Sequence, residues 1–329
     1  MAVAQIIRNH ISISSMDQYC AETGVCKEDF TVLEPCDAQG EVFAIDGSNV
    51  VVCDWSVARV NKICAGYAVY RGADWQRTVI TYDDIFLSDV ESYEEQFEPF
   101  LKGIFGIDEL SLKESELDRL STYFRELQEY VALYDAVMQA SPGDLILYDG
   151  GFTWKERPLG DALSRVFKDA KAKGVDLLGI SKSSAISWGS GISRPFVQHT
   201  CYAGSIFVPG MPWYISLEAK NVVPRPNWEG QTFIVCLDPQ SRRAFRVDVP
   251  YYLKGRTASA LGKLILCSCS AECQGYPHPL FRAHRDIRIT EEEGAFLRLR
   301  LMDMLGEMGL GELQVRMLLQ DYHDVLEMR

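Results

Sequence analysis

Residues 41–48 read Glu-Val-Phe-Ala-Ile-Asp-Gly-Ser, an apolar run that leads into an acid and a glycine. This pattern predicts a buried strand that ends at Asp46, with Gly47 allowing a sharp turn. Two more strand-like runs follow at 63–70 and 78–82. The sequence therefore predicts an antiparallel meander at the start of an α/β domain.

A second apolar strand ends in the same way. Residues 145–151 read Leu-Ile-Leu-Tyr-Asp-Gly-Gly, and a helical pattern over 159–173 and a strand over 175–180 come next. This order is typical of a parallel crossover unit. Because ligands collect at the carboxyl ends of such strands, we expect Asp46 and Asp149 to share one crevice if their strands are neighbours.

Two carboxylates a few ångströms apart favour a bound divalent cation, because they repel each other and lose solvation. Mg²⁺ and Mn²⁺ take carboxylate oxygens and activate water in phosphoryl chemistry. A third carboxylate is expected from the helical pattern over 117–138, where Glu126 and Glu129 lie three apart on one face. The alternatives are an ordinary Asp-Gly turn and a solvated glutamate, and spacing does not choose between Glu126 and Glu129.

A further candidate element lies near the C-terminus. Residues 275–284 read Gly-Tyr-Pro-His-Pro-Leu-Phe-Arg-Ala-His, and the two prolines predict a helix that starts near Pro279. Tyr276 then precedes the helix and His284 lies further along it. A histidine can position water or protonate a leaving oxygen. A plain helix N-terminus is the alternative interpretation.

The remaining patterns complete one elaborated domain. Strands are predicted at 213–217, 232–237 and 244–249, and helices at 257–266 and 291–328. No linker divides the chain. We predict an N-terminal extension over 1–40, a main domain over 41–290 with an acidic helical insertion over 83–118, and C-terminal helices over 291–329.

The charge is distributed unevenly. The formal net charge is −13, which by itself does not suggest a nucleic-acid partner. Residues 83–118 contain twelve acids against Lys102 and Lys113, so this segment carries −10 and leaves −3 for the rest. Basic residues concentrate elsewhere, including 242–246 and 282–288. A locally basic groove on an acidic protein is therefore compatible with the composition.

The composition also bears on location. No apolar run reaches the length of a membrane helix, and the first residues lack the pattern of a secretory signal. The sequence has ten cysteines without the paired C-x-x-C spacing of a zinc site. We expect a cytoplasmic protein with reduced thiols and no membrane partner.

Taken together, these stretches resemble the NurA family of nucleases. In the family's order they are AIDGS at 44–48, LILYDGG at 145–151, GISKSS at 179–184, FRVDV at 245–249 and GYPHPLFRAH at 275–284. The resemblance implies an RNase H-like mixed sheet flanked by helices. It further implies a Mn²⁺-dependent deoxyribonuclease, with Mg²⁺ as the alternative metal, that has 5′-to-3′ exonuclease and single-strand endonuclease activity.

The resemblance also implies partners and site residues. The partners are single-stranded and double-stranded DNA ends, a hexameric HerA-type helicase and a second copy of the chain. The metal ligands that it implies are Asp46, Asp149, His284 and Glu129, with Glu126 as the alternative helical glutamate, and Tyr276 and Lys182 accompany them. The sequence departs from the family at Asp149-Gly150-Gly151, where the family has Ser, Thr or Pro after the first glycine.

Two other classes share part of this pattern. An actin-like or sugar-kinase-type ATP-binding protein also begins with an Asp-x-Gly strand. That class needs a glycine-rich loop in a second, similar domain, and the sequence offers only Gly-Ser-Gly at 189–191. A catalytically inactive nuclease fold that serves as a helicase adaptor is the other alternative. Metal-dependent DNA cleavage separates all three.

Overall fold

A computed structural model describes residues 4, 16–38, 40–54, 58–89, 91, 93–108, 110–113, 119–189, 193–218, 220 and 230–310. The strands are β1 (Thr31–Val32), β2 (Glu41–Asp54), β3 (Ala58–Arg71), β4 (Asp74–Asp89), β5 (Leu145–Tyr148), β6 (Asp176–Ser181), β7 (Ser187–Trp188), β8 (Arg194–Pro195), β9 (Trp213–Ser216), β10 (Gly230–Cys236) and β11 (Phe245–Pro250). The α-helices are α1 (Met16–Thr23), α2 (Tyr93–Phe100), α3 (Leu120–Gln139), α4 (Arg157–Lys173), α5 (Phe196–Phe207), α6 (Thr257–Cys267), α7 (His278–Ile287) and α8 (Glu291–Glu307).

The predicted meander and crossover are confirmed. Strand β3 pairs antiparallel with β2 and β4, while β5 pairs parallel with both β2 and β6. Helix α4 connects β5 to β6. Strands β11, β10, β9 and β1 extend the sheet, and its full order in the described residues is β1-β9-β10-β11-β6-β5-β2-β3-β4. The fold is therefore the mixed sheet flanked by helices that the resemblance, with its RNase H-like core, implied.

Strand β2 is buried on both faces, which explains its continuous apolar run. Side chains alternate along a strand, so Phe43 and Ile45 point to one face while Val42 and Ala44 point to the other. Phe43 and Ile45 join a core cluster that contains residues of α2, α3 and α4. Val42 and Ala44 join a second cluster with residues of α6 and α7. The two helical layers therefore hold β2 between them.

The N-terminal segment adds to the sheet. Strand β1 pairs antiparallel with β9, and the hydroxyls of Tyr19 in α1 and Thr200 in α5 lie 2.7 Å apart. Tyr19 belongs to a third core cluster with Phe196 and Trp213. The boundaries predicted at 41 and 291 stay predictions.

The helical interpretation of the acidic segment is wrong for residues 83–89, which continue β4. The reason is long-range pairing, since β3 supplies a partner for each of these residues, and Phe86 is completely buried against Phe97 and Phe124 of the helical layer. An ion pair of 2.8 Å also joins Asp83 to Lys62 across the two strands. Helix α2 and a π-helical turn at Leu101–Phe105 follow. Residues 109 and 114–118 lie outside the described residues.

The predicted C-terminal helix begins at Glu291 as α8. Its Leu297 and Leu301 pack against Val52, Cys53 and Val60 of the long β2–β3 hairpin. Residues 311–329, where the predicted helical region continues, lie outside the described residues. None of the described helices is both long and apolar enough to span a membrane.

Candidate active site

Asp46 lies within β2 and does not end it, so the predicted turn at Asp46-Gly47 is wrong. The strand continues to Asp54, because pairing with β3 persists through Gly47 opposite Ala65. Gly47 has another role: a Cβ at this position would lie 2.5 Å from Oε1 and 2.6 Å from Cγ of Glu129. The glycine therefore makes room for the Glu129 side chain of α3 beside Asp46.

Asp149 follows β5 directly, as the sequence predicted. Because β5 pairs with β2 in parallel, the Asp149 N–H donates a 3.0 Å hydrogen bond to the Ile45 carbonyl. This bond places the backbone of Asp149 beside that of Asp46. The expectation that the two carboxylates share one crevice is confirmed.

Helix α7 brings the third side chain to this crevice. His284 Nδ1 lies 2.7 Å from Asp46 Oδ2. Asp46, Asp149 and His284 each offer one ligand atom, and these three atoms lie within 4.8 Å of one another. In the described part of the chain, no other group of three His, Cys, Asp or Glu side chains converges in this way. Three of the predicted metal ligands therefore meet at one point.

Lys182 and Tyr276 hold the carboxylate of Asp149. The ammonium of Lys182 forms an ion pair with Oδ2, and the Tyr276 hydroxyl donates a 3.1 Å hydrogen bond to Oδ1. Burial raises the pKa of Asp149, the nearby Asp46 raises it further, and Lys182 opposes both effects. Burial and Asp149 raise the pKa of Tyr276 well above its ordinary value, so its hydroxyl stays protonated and donates. The two side chains that the resemblance implied as companions therefore both contact Asp149, and their roles in catalysis stay predictions.

Glu129 is held beside this cluster without joining it. Its buried carboxylate accepts a 2.8 Å hydrogen bond from the Tyr148 hydroxyl and forms an ion pair with Arg125 one turn earlier. Burial raises the pKa of Glu129 to about 7, Arg125 opposes this, and Asp46 adds to it. Glu126 instead accepts a 2.6 Å hydrogen bond from Tyr130. Glu129 is thus the helical glutamate whose charge interacts with that of Asp46. Its role as a metal ligand stays a prediction.

Arg125 and Tyr148 are functional candidates that sequence analysis missed. The sequence did carry a signal for each, since Arg125 and Glu129 have the i, i+4 spacing of a helical ion pair and Tyr148 directly precedes Asp149. Neither signal is specific without the fold. Arg125 and Tyr148 are candidates because both side chains contact the buried carboxylate of Glu129.

A buried ion pair lies under the loop that follows Asp149. Arg246 Nη2 and Asp248 Oδ2 in β11 are 2.6 Å apart, and the same carboxylate oxygen accepts a 3.0 Å hydrogen bond from the Phe152 N–H. A Cβ at Gly151 would lie 2.9 Å from this oxygen. The second glycine of Asp149-Gly150-Gly151 therefore leaves room for the ion pair, which gives a physical reason for the departure from the family pattern.

Comparison with known proteins places this site on a known fold. No protein-family profile matches the sequence, and no curated protein sequence matches it. The crystal structure of the NurA nuclease from Sulfolobus solfataricus superposes with a TM-score of 0.52 at 16% identity, over 93% of this chain and 92% of that chain. The chain has the fold of a NurA nuclease. The NurA-like fold that the sequence motifs implied is therefore confirmed.

Two endonuclease V structures are more distant from this NurA-like chain. The Ciona intestinalis enzyme, in complex with an inosine-containing DNA, has a TM-score of 0.40 at 14% identity over 80% of this chain and 92% of that chain. The human enzyme has a TM-score of 0.36 at 11% identity over 83% of this chain and 96% of that chain.

Proposed function

We propose that this chain is a metal-dependent nuclease that hydrolyses phosphodiester bonds in DNA. The observation that carries the proposal is the convergence of Asp46, Asp149 and His284, whose ligand atoms lie within 4.8 Å of one another at the adjacent strands β2 and β5 of a NurA-like fold. Two of these groups are carboxylates from adjacent strands, and the third is an imidazole from α7. Such a set suits a divalent ion in phosphoryl chemistry.

The donor set fits Mn²⁺, with Mg²⁺ as the alternative. Carboxylate oxygens suit both ions, and an imidazole nitrogen moves the preference toward a transition metal. Burial and the neighbouring Asp46 raise the pKa of Asp149, so a bound cation would compensate two close carboxylates. When bound, the ion supplies an activated water and stabilises the leaving oxygen.

The side chains around the proposed metal site have further roles in binding and orientation. Tyr276 fixes the orientation of Asp149 through its hydroxyl. Lys182 is 42% exposed and lies 5.5 Å from the centroid of the Tyr276 ring, so its ammonium is accessible to a phosphate oxygen. The His284 side chain is half exposed, which keeps the site open to substrate. Glu129, supported by Arg125 and Tyr148, is the proposed fourth ligand.

The finer assignments rest on the order of the NurA-like motifs and the shared fold. We propose 5′-to-3′ exonuclease and single-strand endonuclease activity on DNA ends, a homodimer, and action with a hexameric HerA-type helicase in DNA end processing. We also propose a cytoplasmic location, where the ten cysteines of the sequence would stay reduced.

Cleavage of end-labelled single-stranded and double-stranded DNA with Mn²⁺, Mg²⁺ or EDTA tests the proposal. We expect cleavage with metal, none in EDTA, and none in Asp46→Asn or Asp149→Asn when circular dichroism shows that both variants are folded. Asp54→Asn, at the far end of β2, is the matched control and should cut normally. An Asp46→Asn protein that cuts as fast as the wild type would overturn the proposal, and ATP binding without cleavage would support the actin-like class.

A further inference from the structure

A cavity of about 1050 Å³ opens beside the candidate metal site and extends well beyond it. One end is lined by the site residues Lys182, Tyr276 and His284, and the lining continues to Tyr202, Arg242 and Arg243. Pockets for small ligands usually enclose about 300–1000 Å³. The cavity is therefore at the upper limit of this range, and it is continuous with the proposed reaction centre.

The lining is basic on an otherwise acidic protein. Arg242 and Arg243 are exposed, and no described carboxylate forms an ion pair with either. Glu272 is the one acid among the described lining residues, against Arg242, Arg243 and Lys182, of which Lys182 is already paired with Asp149. With a formal net charge of −13 for the chain, this local excess favours an anionic occupant.

The backbone holds Arg242 in an unfavourable conformation at the cavity. Its φ of 53° is the one positive value among the described non-glycine residues. The Asp238 carboxylate accepts a 2.8 Å hydrogen bond from the Gln240 N–H, and the Arg242 N–H donates to the Pro239 carbonyl, so a capped turn imposes this geometry. A glycine would adopt it without penalty. Backbone strain at a cavity wall points to a use for the side chain.

Aromatic side chains line the same space. Tyr202 of α5 is 54% exposed, and Phe245 and Phe281 lie deeper in the lining. Exposed aromatic rings stack on unpaired bases without regard to sequence. The bases of a duplex are already stacked and paired, so such a ring favours a single strand. Cationic and aromatic groups together fit a phosphate backbone with exposed bases.

We infer that this cavity binds one unpaired DNA strand next to the scissile bond, with a base on Tyr202 and phosphates on Arg242 and Arg243. The inference rests on the proposed nuclease function and adds the path of the substrate strand. A duplex in the same cavity is the competing outcome.

The inference is tested by measuring how the full chain binds a fluorescently labelled oligo-dT and a hairpin duplex. Binding is followed by fluorescence anisotropy in EDTA across a series of salt concentrations. Each phosphate contact to a single strand contributes about 0.7 to the slope of log K against log salt. Arg242→Ala/Arg243→Ala should therefore lower the slope for oligo-dT by about 1.4. Tyr202→Ala should weaken oligo-dT binding about tenfold and leave the slope unchanged.

Matched controls remove the same groups outside the cavity. Lys168→Ala/Lys171→Ala on α4 removes two exposed cations, and Tyr251→Ala removes a tyrosine that is 58% exposed. Both controls should bind oligo-dT as the wild type does. Arg242→Gly should lower the slope by about 0.7 while retaining or raising the melting temperature, because glycine relieves the left-handed backbone.

Several results would overturn the inference: cavity variants that bind like the wild type or lose no more than their controls, or a wild-type protein that prefers the duplex. A parallel cleavage assay with Mn²⁺ separates the two proposals. If the cavity variants lose oligo-dT binding but the wild type never cleaves, strand binding stands and the nuclease proposal falls. If the wild type cleaves and the cavity variants bind and cleave equally well, the nuclease proposal stands and the strand site falls.

Discussion

Replacing Gly47 by alanine perturbs the candidate site without removing any of its side chains. The new Cβ would lie 2.5 Å from Oε1 and 2.6 Å from Cγ of Glu129. Ordinary contacts between carbon and other heavy atoms begin near ~3.5 Å, so the Glu129 side chain must shift by about 1 Å. The backbone at Gly47 is a regular strand that alanine adopts freely, so the displacement of Glu129 is the main effect.

The expected magnitudes separate catalysis from stability. A displacement of about 1 Å at a reaction centre can lower the rate about 10²-fold. Overpacking costs about 1–3 kcal/mol, and alanine recovers about 0.5–1 kcal/mol over glycine in a strand. Gly47→Ala should therefore stay folded while its cleavage rate falls about a hundredfold.

Single-turnover cleavage of end-labelled DNA at saturating Mn²⁺, with thermal unfolding of the same samples, measures both effects. Gly306→Ala in α8 is the control, since no atom lies within 4 Å of its added Cβ. Glu129→Asp shortens the side chain, so the double variant Gly47→Ala/Glu129→Asp should be no slower than the slower single variant. A Gly47→Ala protein that cuts at the wild-type rate would refute the reasoning, because the position of Glu129 would then not matter.

Three further predictions concern the neighbouring charges. Lys182→Ala should lower the cleavage rate about 10²-fold in the same assay, because it removes a cation that is accessible to phosphate; an unchanged rate would exclude that role. Asp248→Ala should lower the free energy of unfolding in urea by about 3–5 kcal/mol, since it removes the carboxylate that pairs with the buried Arg246; a loss below 1 kcal/mol would contradict this. The folded-state pKa of Glu129, about 7, lies above its unfolded value, so the folded state binds more protons and stability in EDTA should fall as pH rises from about 4.5 to 7. Between these pH values the free energy of unfolding in urea should change by about 3 kcal/mol less for Glu129→Gln than for the wild type. Identical pH profiles for the two proteins would contradict the raised pKa of Glu129.

Local patterns predicted the centre of the fold. The run at 42–45 is apolar throughout because helices cover both faces of β2, and the order helix, strand, helix, strand gave the parallel neighbours β5 and β6. Asp149 could be predicted because it directly follows a short buried strand. The two prolines predicted where α7 begins, while only the resemblance to the NurA family implied His284 as a metal-site residue.

Other features depend on contacts between distant parts of the chain. Residues 83–89 form a strand because β3 lies beside them, and nothing in their own pattern requires this. Asp46 lies in the expected crevice, but the strand does not end there as its Asp-Gly pattern predicted. Gly47 makes room for Glu129 and does not form a turn. The partners of Glu129 and the approach of Arg242 to the site likewise appear only once the sheet is assembled.

The most direct test of the account measures Mn²⁺ binding itself. Electron paramagnetic resonance can follow free Mn²⁺ during titration of the wild type, Asp149→Asn and the control Asp54→Asn. We predict a Mn²⁺ site in the wild type and Asp54→Asn that is lost in Asp149→Asn together with DNA cleavage. Equal Mn²⁺ binding by all three proteins would contradict the assignment of Asp46, Asp149 and His284 as the metal site.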